Sequence, residues 1–279
     1  MASNGQASII TREVDCVADG RVDHRVDTLA VEEPLEIRVV AGDLDRAITV
    51  TMRTPGEDAD LGTGLLISEG VIERADQIAA IRSCGQAGNV LRVELAPGVT
   101  PKFAAIERSL RATASCGLCG KSSLEAVAAS IPDAAPIASR MRVPAAVLHR
   151  LPAQLRGAQA MFEHTGALHA VGAFSDTGES IAIREDIGRH NALDKLLGAL
   201  SSRPNVEPSE IIVALSGRAG FELVQKAAVA RVPLLVAIGA PSSLAVELAE
   251  RAGITLIGFL REASFNVYCH AERVRFAAA

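Results

Sequence analysis

The sequence predicts an α/β protein: a layered α/β domain in the second half and a smaller α+β unit in the first. Three observations carry this. From residue 211 onward, short runs of Val, Ile, Leu and Ala alternate with amphipathic segments of helical length, the pattern of βαβ units around a largely parallel sheet. Before residue 100, β-branched runs surround a single helical segment. Between the halves stands a Gly-rich loop with two cysteines.

In the first half, residues 35–40 and 47–52 read as strands about an Ala41-Gly42-Asp43 turn. Thr54-Pro55-Gly56 is a turn. Glu57 and Asp58 follow it, where carboxylates favour a helix N-terminus. That helix carries Leu61, Leu65 and Leu66 on one face and stops at Gly70. Residues 78–95 hold two more strands, and 97–101 is a break between prolines.

In the second half, residues 121–130 and 144–160 read as helices. Strands at 165–174 and 180–186 flank the Asp176-Thr177-Gly178 turn, and a helix covers 189–199. Then come strand 211–215, helix 220–230, strand 234–238, helix 242–252 and strand 254–260. The division expected is 1–112 for the smaller domain, 113–122 for a mobile cysteine loop and 123–279 for the layered domain.

Composition excludes several classes. The chain has 279 residues, 49% of them apolar, which suits a globular protein with a sizeable core. A net charge of -5 gives no reason to expect nucleic acid or an anionic membrane as partner. The polar N-terminal stretch has no signal core, and no apolar run reaches the length of a membrane span. Five cysteines, an odd number, argue for free thiols in a reducing compartment.

The most informative segment is Ser115-Cys116-Gly117-Leu118-Cys119-Gly120-Lys121. Its thiols can touch, its glycines keep it pliable, and Lys121 with the following helix N-terminus favours a thiolate. Half of a structural zinc site is one reading, but no second ligand pair accompanies it. Dithiol redox chemistry and sulfur carriage rank together ahead of zinc, and spacing does not separate them. A zinc deaminase is excluded. Its His-x-Glu precedes Pro-Cys-x-x-Cys, whereas here His169 follows the cysteines, Val171 stands two positions on, and Ser115 precedes Cys116. Cys16, Cys84 and Cys269 read as simple thiols.

Two turns resemble anion cradles. Ser216-Gly217-Arg218-Ala219-Gly220 and Gly239-Ala240-Pro241-Ser242-Ser243 each follow a strand and open a helix. Small residues and free N–H groups at a helix N-terminus suit phosphate, and Arg218 can pair with it bidentately. The bland alternative is a pair of tight connections capped by Ser. His169, Asp186, Arg189 and His190 add polar groups near strand ends. The run from Arg184 to Asn191 reads either as a site or as a solvated loop with Asp186 or Asn191 capping.

Taken in order, several motifs resemble the FdhD/NarQ family. They are Arg53-Thr54-Pro55-Gly56, Ser68-Glu69-Gly70, the loop from Ser115 to Lys121, and Thr165-Gly166-Ala167-Leu168-His169-Ala170. Asp186-Ile187-Gly188-Arg189-His190-Asn191-Ala192-Leu193-Asp194-Lys195, Ser216-Gly217-Arg218 and Gly258-Phe259-Leu260-Arg261 complete the set. The resemblance implies a cytoplasmic sulfurtransferase required for active formate dehydrogenase. It implies Cys116 as the persulfide cysteine, Cys119 as its partner, and a cysteine desulfurase and the formate dehydrogenase apoprotein as protein partners. The client is a molybdenum bis(molybdopterin guanine dinucleotide) cofactor, of which GDP is a partial mimic. Phe259, Leu260, Arg261, Glu262, Ala263 and Ser264 match the cofactor-contacting stretch. The resemblance further implies a C-terminal domain like the cytidine deaminase fold, without zinc, and a homodimer.

Overall fold

The structure, a computed structural model, describes residues 7–85, 88–103 and 135–276. Cys116, Cys119 and the helix expected at 121–130 lie outside the described residues.

The chain opens on an element absent from the sequence reading. β1 (Ile9–Ala18) and β2 (Arg21–Ala30) form an antiparallel hairpin closed by Asp19-Gly20. Both turn residues have positive φ, 51° and 76°, the backbone of a tight hairpin turn whose twist matches the strands.

β3 (Glu33–Ala41), β4 (Leu44–Arg53), β5 (Ile78–Cys84) and β6 (Val90–Leu95) then form a sheet in the order β4-β3-β6-β5. β3 is antiparallel to β4 and parallel to β6. Leu35, Ile37 and Val39 alternate onto one buried face, joined by Leu91, Val93 and Leu95. α1 (Asp58–Ser68) covers that face with Leu61, Leu65 and Leu66, and Gly70 with φ 68° follows it, as expected of the stop.

Beyond the undescribed segment, β7 (Val143–Pro144) leads into α2 (Ala145–Gly157) and α3 (Ala160–Thr165). The single helix expected at 144–160 is therefore two. Gly166, in the left-handed region at φ 65°, caps α3, so the strand expected from residue 165 begins only at His169.

The larger sheet contains β8 (His169–Phe174), β9 (Ser180–Asp186), β10 (Ile212–Leu215), β11 (Leu234–Ala237), β12 (Thr255–Gly258) and β13 (Asn266–Cys269). Their order is β13-β12-β11-β10-β8-β9. The expectation of a largely parallel sheet needs correction. β10, β11 and β12 are parallel, but β8 is antiparallel to β10 and β9, and β13 to β12. The reason is loop length. The 176–178 turn and the connection 259–265 are too short for a crossover, so each must reverse the chain. The short β14 (Val274–Arg275) returns to pair with β7.

Three layers result. α4 (Arg189–Ser201), α5 (Phe221–Val229) and α6 (Ser243–Ala252) pack on one face through residues such as Leu193, Leu223 and Leu248. On the other face α2 contributes Val147, Leu148, Leu151 and Leu155. The two sheets are joined through helices. α1 crosses α4 so closely that a Cβ on Gly64 would overlap the Asp194 carbonyl, and one on Gly198 the Asp60 carbonyl. Among the described residues, no helix is long and apolar enough to cross a membrane.

Candidate functional site

The parallel strands β10, β11 and β12 end on the same rim of the larger sheet. β8, running the other way, starts there, and β9 ends there, with His169 paired to Asp186. Topology thus brings the residues singled out from the sequence to one place: His169, Asp186, Arg189, His190, Ser216-Gly217-Arg218, Gly239-Ala240-Pro241 and the stretch from Phe259.

The three loops are knitted together by backbone. Gly239 N–H donates to Gly217 O at 2.8 Å, Ala219 N–H to Ala240 O at 3.2 Å, Ser242 N–H to Ala219 O at 3.1 Å and Phe259 N–H to Gly239 O at 3.1 Å. These donors were expected to be free for an anion. Instead the rim spends them on itself, because each strand's hydrogen-bond ladder continues past its end. The Ser242 hydroxyl accepts from Ala245 N–H, the plain helix cap of the bland reading. Ser216 is likewise structural, exchanging hydrogen bonds with Ala170 through its N–H and its hydroxyl, each 2.9 Å.

What the rim offers a ligand is side chains. Arg218 is exposed and no ion pair engages it among the described residues. Arg189 is also exposed, and its charge acts on both His169 and Glu222. The His169 imidazole lies against Gly217, where a Cβ would stand 3.4 Å from Nδ1. Burial, and then the charges of Arg189 and His190, hold its pKa below the ordinary histidine value. His190 Nε2 lies 2.9 Å from the Glu222 carboxylate, a bond that holds Glu222 below the usual carboxylate range.

The stretch from Phe259 divides by role. Phe259 is 44% exposed and sits at φ 51°, a strained backbone for a bulky residue. Leu260 is buried in the core, so its side chain is packing. The Arg261 guanidinium donates to Ile238 O at 2.6 Å and to Leu260 O at 2.8 Å, holding the loop. Glu262, Ala263 and Ser264 are exposed, and Ser264 O accepts from Arg261 N–H at 2.8 Å.

Behind the rim lies the joint between the sheets. Asp186 is fully buried, not solvated as the loop reading had it. It accepts from Lys195 Nζ at 2.9 Å, Thr54 N–H at 3.2 Å and Gly188 N–H at 2.8 Å. Asn191 donates to Met52 O at 2.7 Å and accepts from the Thr51 hydroxyl at 3.0 Å. Asp194 accepts from Ser68 at 2.7 Å and from Lys226 at 3.0 Å, while Lys226 also reaches Glu69 at 2.7 Å. A cavity of about 360 Å³ opens here, lined among others by Met52, Glu69, His190, Glu222 and Lys226.

Comparison with known proteins places these motifs. Residues 30–275 match the profile of the FdhD/NarQ family. The chain belongs to the FdhD/NarQ family. The Sulfur carrier protein FdhD of Streptomyces avermitilis is 46% identical, over 96% of this chain and 96% of its own. The protein of the same name from Mycobacterium tuberculosis is 45% identical, over 94% of this chain and 97% of its own. A crystal structure of a candidate formate dehydrogenase accessory protein from Desulfotalea psychrophila shares the fold. Its TM-score is 0.74 at 23% identity, covering 96% of this chain and all of that one.

In this FdhD/NarQ chain the motifs serve two purposes. His169, Arg189, His190, Arg218 and Phe259 stand at the rim. Thr54, Ser68, Glu69, Asp186, Asn191, Asp194 and Lys195 mainly close the joint, while the buried Arg53 holds Asp58 at the start of α1. Sequence reading missed Glu222 and Lys226. Both lie in an amphipathic helix that reads as ordinary surface, and only the packing of α1 and α4 against it gives them partners.

Proposed function

We propose that this protein carries sulfur for the maturation of a formate dehydrogenase. In this reading the Cys116 thiolate attacks the terminal sulfur of a persulfide on a cysteine desulfurase. The donor's thiolate leaves, and Cys116 holds the sulfur as its own persulfide. Cys119 assists or resolves. The receiving substrate is the molybdenum of a bis(molybdopterin guanine dinucleotide) cofactor, held at the rim before insertion into the formate dehydrogenase apoprotein. Zinc takes no part, and the reaction belongs in the cytoplasm.

One observation supports the reading above others: Arg218 and Arg189 stand exposed at a rim where three strand-end loops meet. Such a rim suits the paired phosphates of a dinucleotide. Phe259 is placed to stack on a guanine, and GDP serves as a partial mimic. The names of the relatives, sulfur carrier proteins, agree with this assignment. We further assign residues 1–112 and 123–279 to two domains joined by the loop 113–122. The three-layer arrangement of the second is compatible with a cytidine deaminase-like fold put to other chemistry.

The test is mass spectrometry of the protein after incubation with a cysteine desulfurase and cysteine. One added sulfur is expected on Cys116 and is absent from Cys116→Ala. The same variant is expected to fold normally and to leave formate dehydrogenase inactive in a deletion strain, whereas Cys119→Ala is expected to be less damaging. A fully active Cys116→Ala would overturn the mechanism.

A further inference from the structure

Aromatic side chains are scarce in this chain, with seven Phe, one Tyr and no Trp. Among the described residues three of them are exposed: Phe259, Tyr268 and Phe276. Phe259 and Tyr268 come to the same corner of the rim.

Tyr268 lies on β13, the outer strand of the larger sheet. Its placement follows from an irregularity in the ladder between β12 and β13. Gly258 pairs with Asn266 and Ile257 with Val267, but Leu256 pairs with Cys269. Tyr268 is therefore the extra residue of a bulge. Under strict alternation Tyr268 and Cys269 would point to opposite faces. A bulge re-aims side chains, and here both turn to the face that the helices α4, α5 and α6 cover. Cys269 packs there in the core with Leu256, and Tyr268 lies over Gly258 at the end of β12.

Gly258 is what gives the ring room. A Cβ at that position would stand 2.7 Å from Pro241 Cδ, 3.0 Å from the Tyr268 ring and 3.4 Å from Gly239 O. The glycine that opens Gly258-Phe259-Leu260-Arg261 is thus a site of close approach. The Gly239 carbonyl also accepts from Phe259 N–H at 3.1 Å, so the two exposed rings are set by one junction of loops. Tyr268 is 38% exposed, and its hydroxyl has no hydrogen-bond partner among the described residues.

We propose that Tyr268 is a ligand-contacting residue of the rim. With Phe259 it offers aromatic surface to the planar base of a bound nucleotide, while the phosphates lie toward Arg218. An aromatic ring gains by stacking on a base, and a tyrosine can do so from a half-wet position because its hydroxyl stays in water. This rests on the reading of the rim as a nucleotide site, and adds to that reading the residue that meets the base from β13.

The composition supplies the probe. With one tyrosine and no tryptophan, the intrinsic fluorescence of the whole chain reports on Tyr268. Calorimetry first measures GDP and inorganic pyrophosphate, which has no base, on the wild type. GDP is expected to quench the tyrosine emission with the affinity that calorimetry gives, and pyrophosphate to leave it unchanged. Tyr268→Ala is expected to weaken GDP binding about fivefold or more, the lower end of what a base stack is worth. Its affinity for pyrophosphate is expected to stay as it was. Tyr268→Phe keeps the ring and is expected to bind GDP as the wild type does, which separates loss of stacking from damage to the fold. GDP that binds without quenching, or binds Tyr268→Ala equally well, would overturn the proposal and leave the rim reading standing. An equal loss of pyrophosphate affinity would make Tyr268 merely structural. A wild type that binds no GDP would end both.

Discussion

Lys226 and Asp194 form a 3.0 Å ion pair in which both side chains are buried, one on α5 and the other on α4. Glu69, at the end of α1, holds the same ammonium at 2.7 Å, and Ser68 closes the cluster. Three helices thus share one charge. The two carboxylates outweigh burial and raise the Lys226 pKa above that of a free lysine. A raised folded pKa means its contribution is complete below the unfolded value of about 10.4 and lost only as pH rises through the folded one. Near neutrality Lys226 itself therefore adds no dependence on pH, while burial raises the pKa of its partner Asp194. Lys226→Met leaves two carboxylates without their cation and is expected to cost about 3–5 kcal/mol, measured by urea unfolding at pH 7.

The crossing of α1 and α4 admits no side chain at its centre. Gly198→Ala places a Cβ on the Asp60 carbonyl, so the helices must separate. The expected cost is about 1–3 kcal/mol or more. Gly157, at the end of α2, has open space around its Cβ position. Gly157→Ala is the matched control and is expected to leave the unfolding midpoint unchanged or raised.

His169 gives the rim a dependence on acidity. Its folded pKa lies below the ordinary value because burial, and then the neighbouring Arg189 and His190, oppose its proton. The unfolded state therefore binds that proton first as pH falls, and stability declines below pH about 6.5 toward the lower folded value. Melting curves between pH 7.5 and 5 are expected to fall less steeply for His169→Gln than for the wild type. Equal slopes would remove His169 as the source.

At the rim, Arg218→Ala is expected to weaken GDP binding by roughly 1.5–3 kcal/mol, the worth of a charged hydrogen bond to phosphate. Melting without ligand is expected to change little, since Arg218 is exposed and unpaired among the described residues. Calorimetric titration of both proteins decides it. Equal affinities would take Arg218 out of the site, and no binding to wild type would remove the cradle.

Much of the fold was legible because alternation and helical periodicity are local. Leu35, Ile37 and Val39 announce a half-buried strand, and Leu61 with Leu65 a helix face. The Asp19-Gly20 hairpin was missed although its turn is a strong signal, because charges interrupt the valines of its strands. The direction of β8 and β13 was missed because it follows from connection length. The burial of Asp186 and Asn191, within the charged run from Arg184 to Asn191, was not legible for a deeper reason. Asp186 and Asn191 find their partners at Thr54, Met52 and Thr51, well over a hundred residues away, and burial conferred by distant partners leaves no periodic trace. Convergence of the candidate residues on one rim was legible, since parallel strands must end together. That neighbouring loops take up the N–H groups of Ala219, Gly239, Ser242 and Phe259 was not.

Those backbone bonds between the loops have a consequence for how ligands are received. Gly217, Ala219, Gly239 and Ala240 hold the rim through main-chain atoms, which are the same whatever side chains stand nearby. The loops are thus preorganised, and an arriving anion need not spend binding energy on ordering them. Selectivity is carried by what projects from this fixed frame. Exchanging Arg218 or Phe259 would retune which molecule is held, while the frame beneath kept its shape.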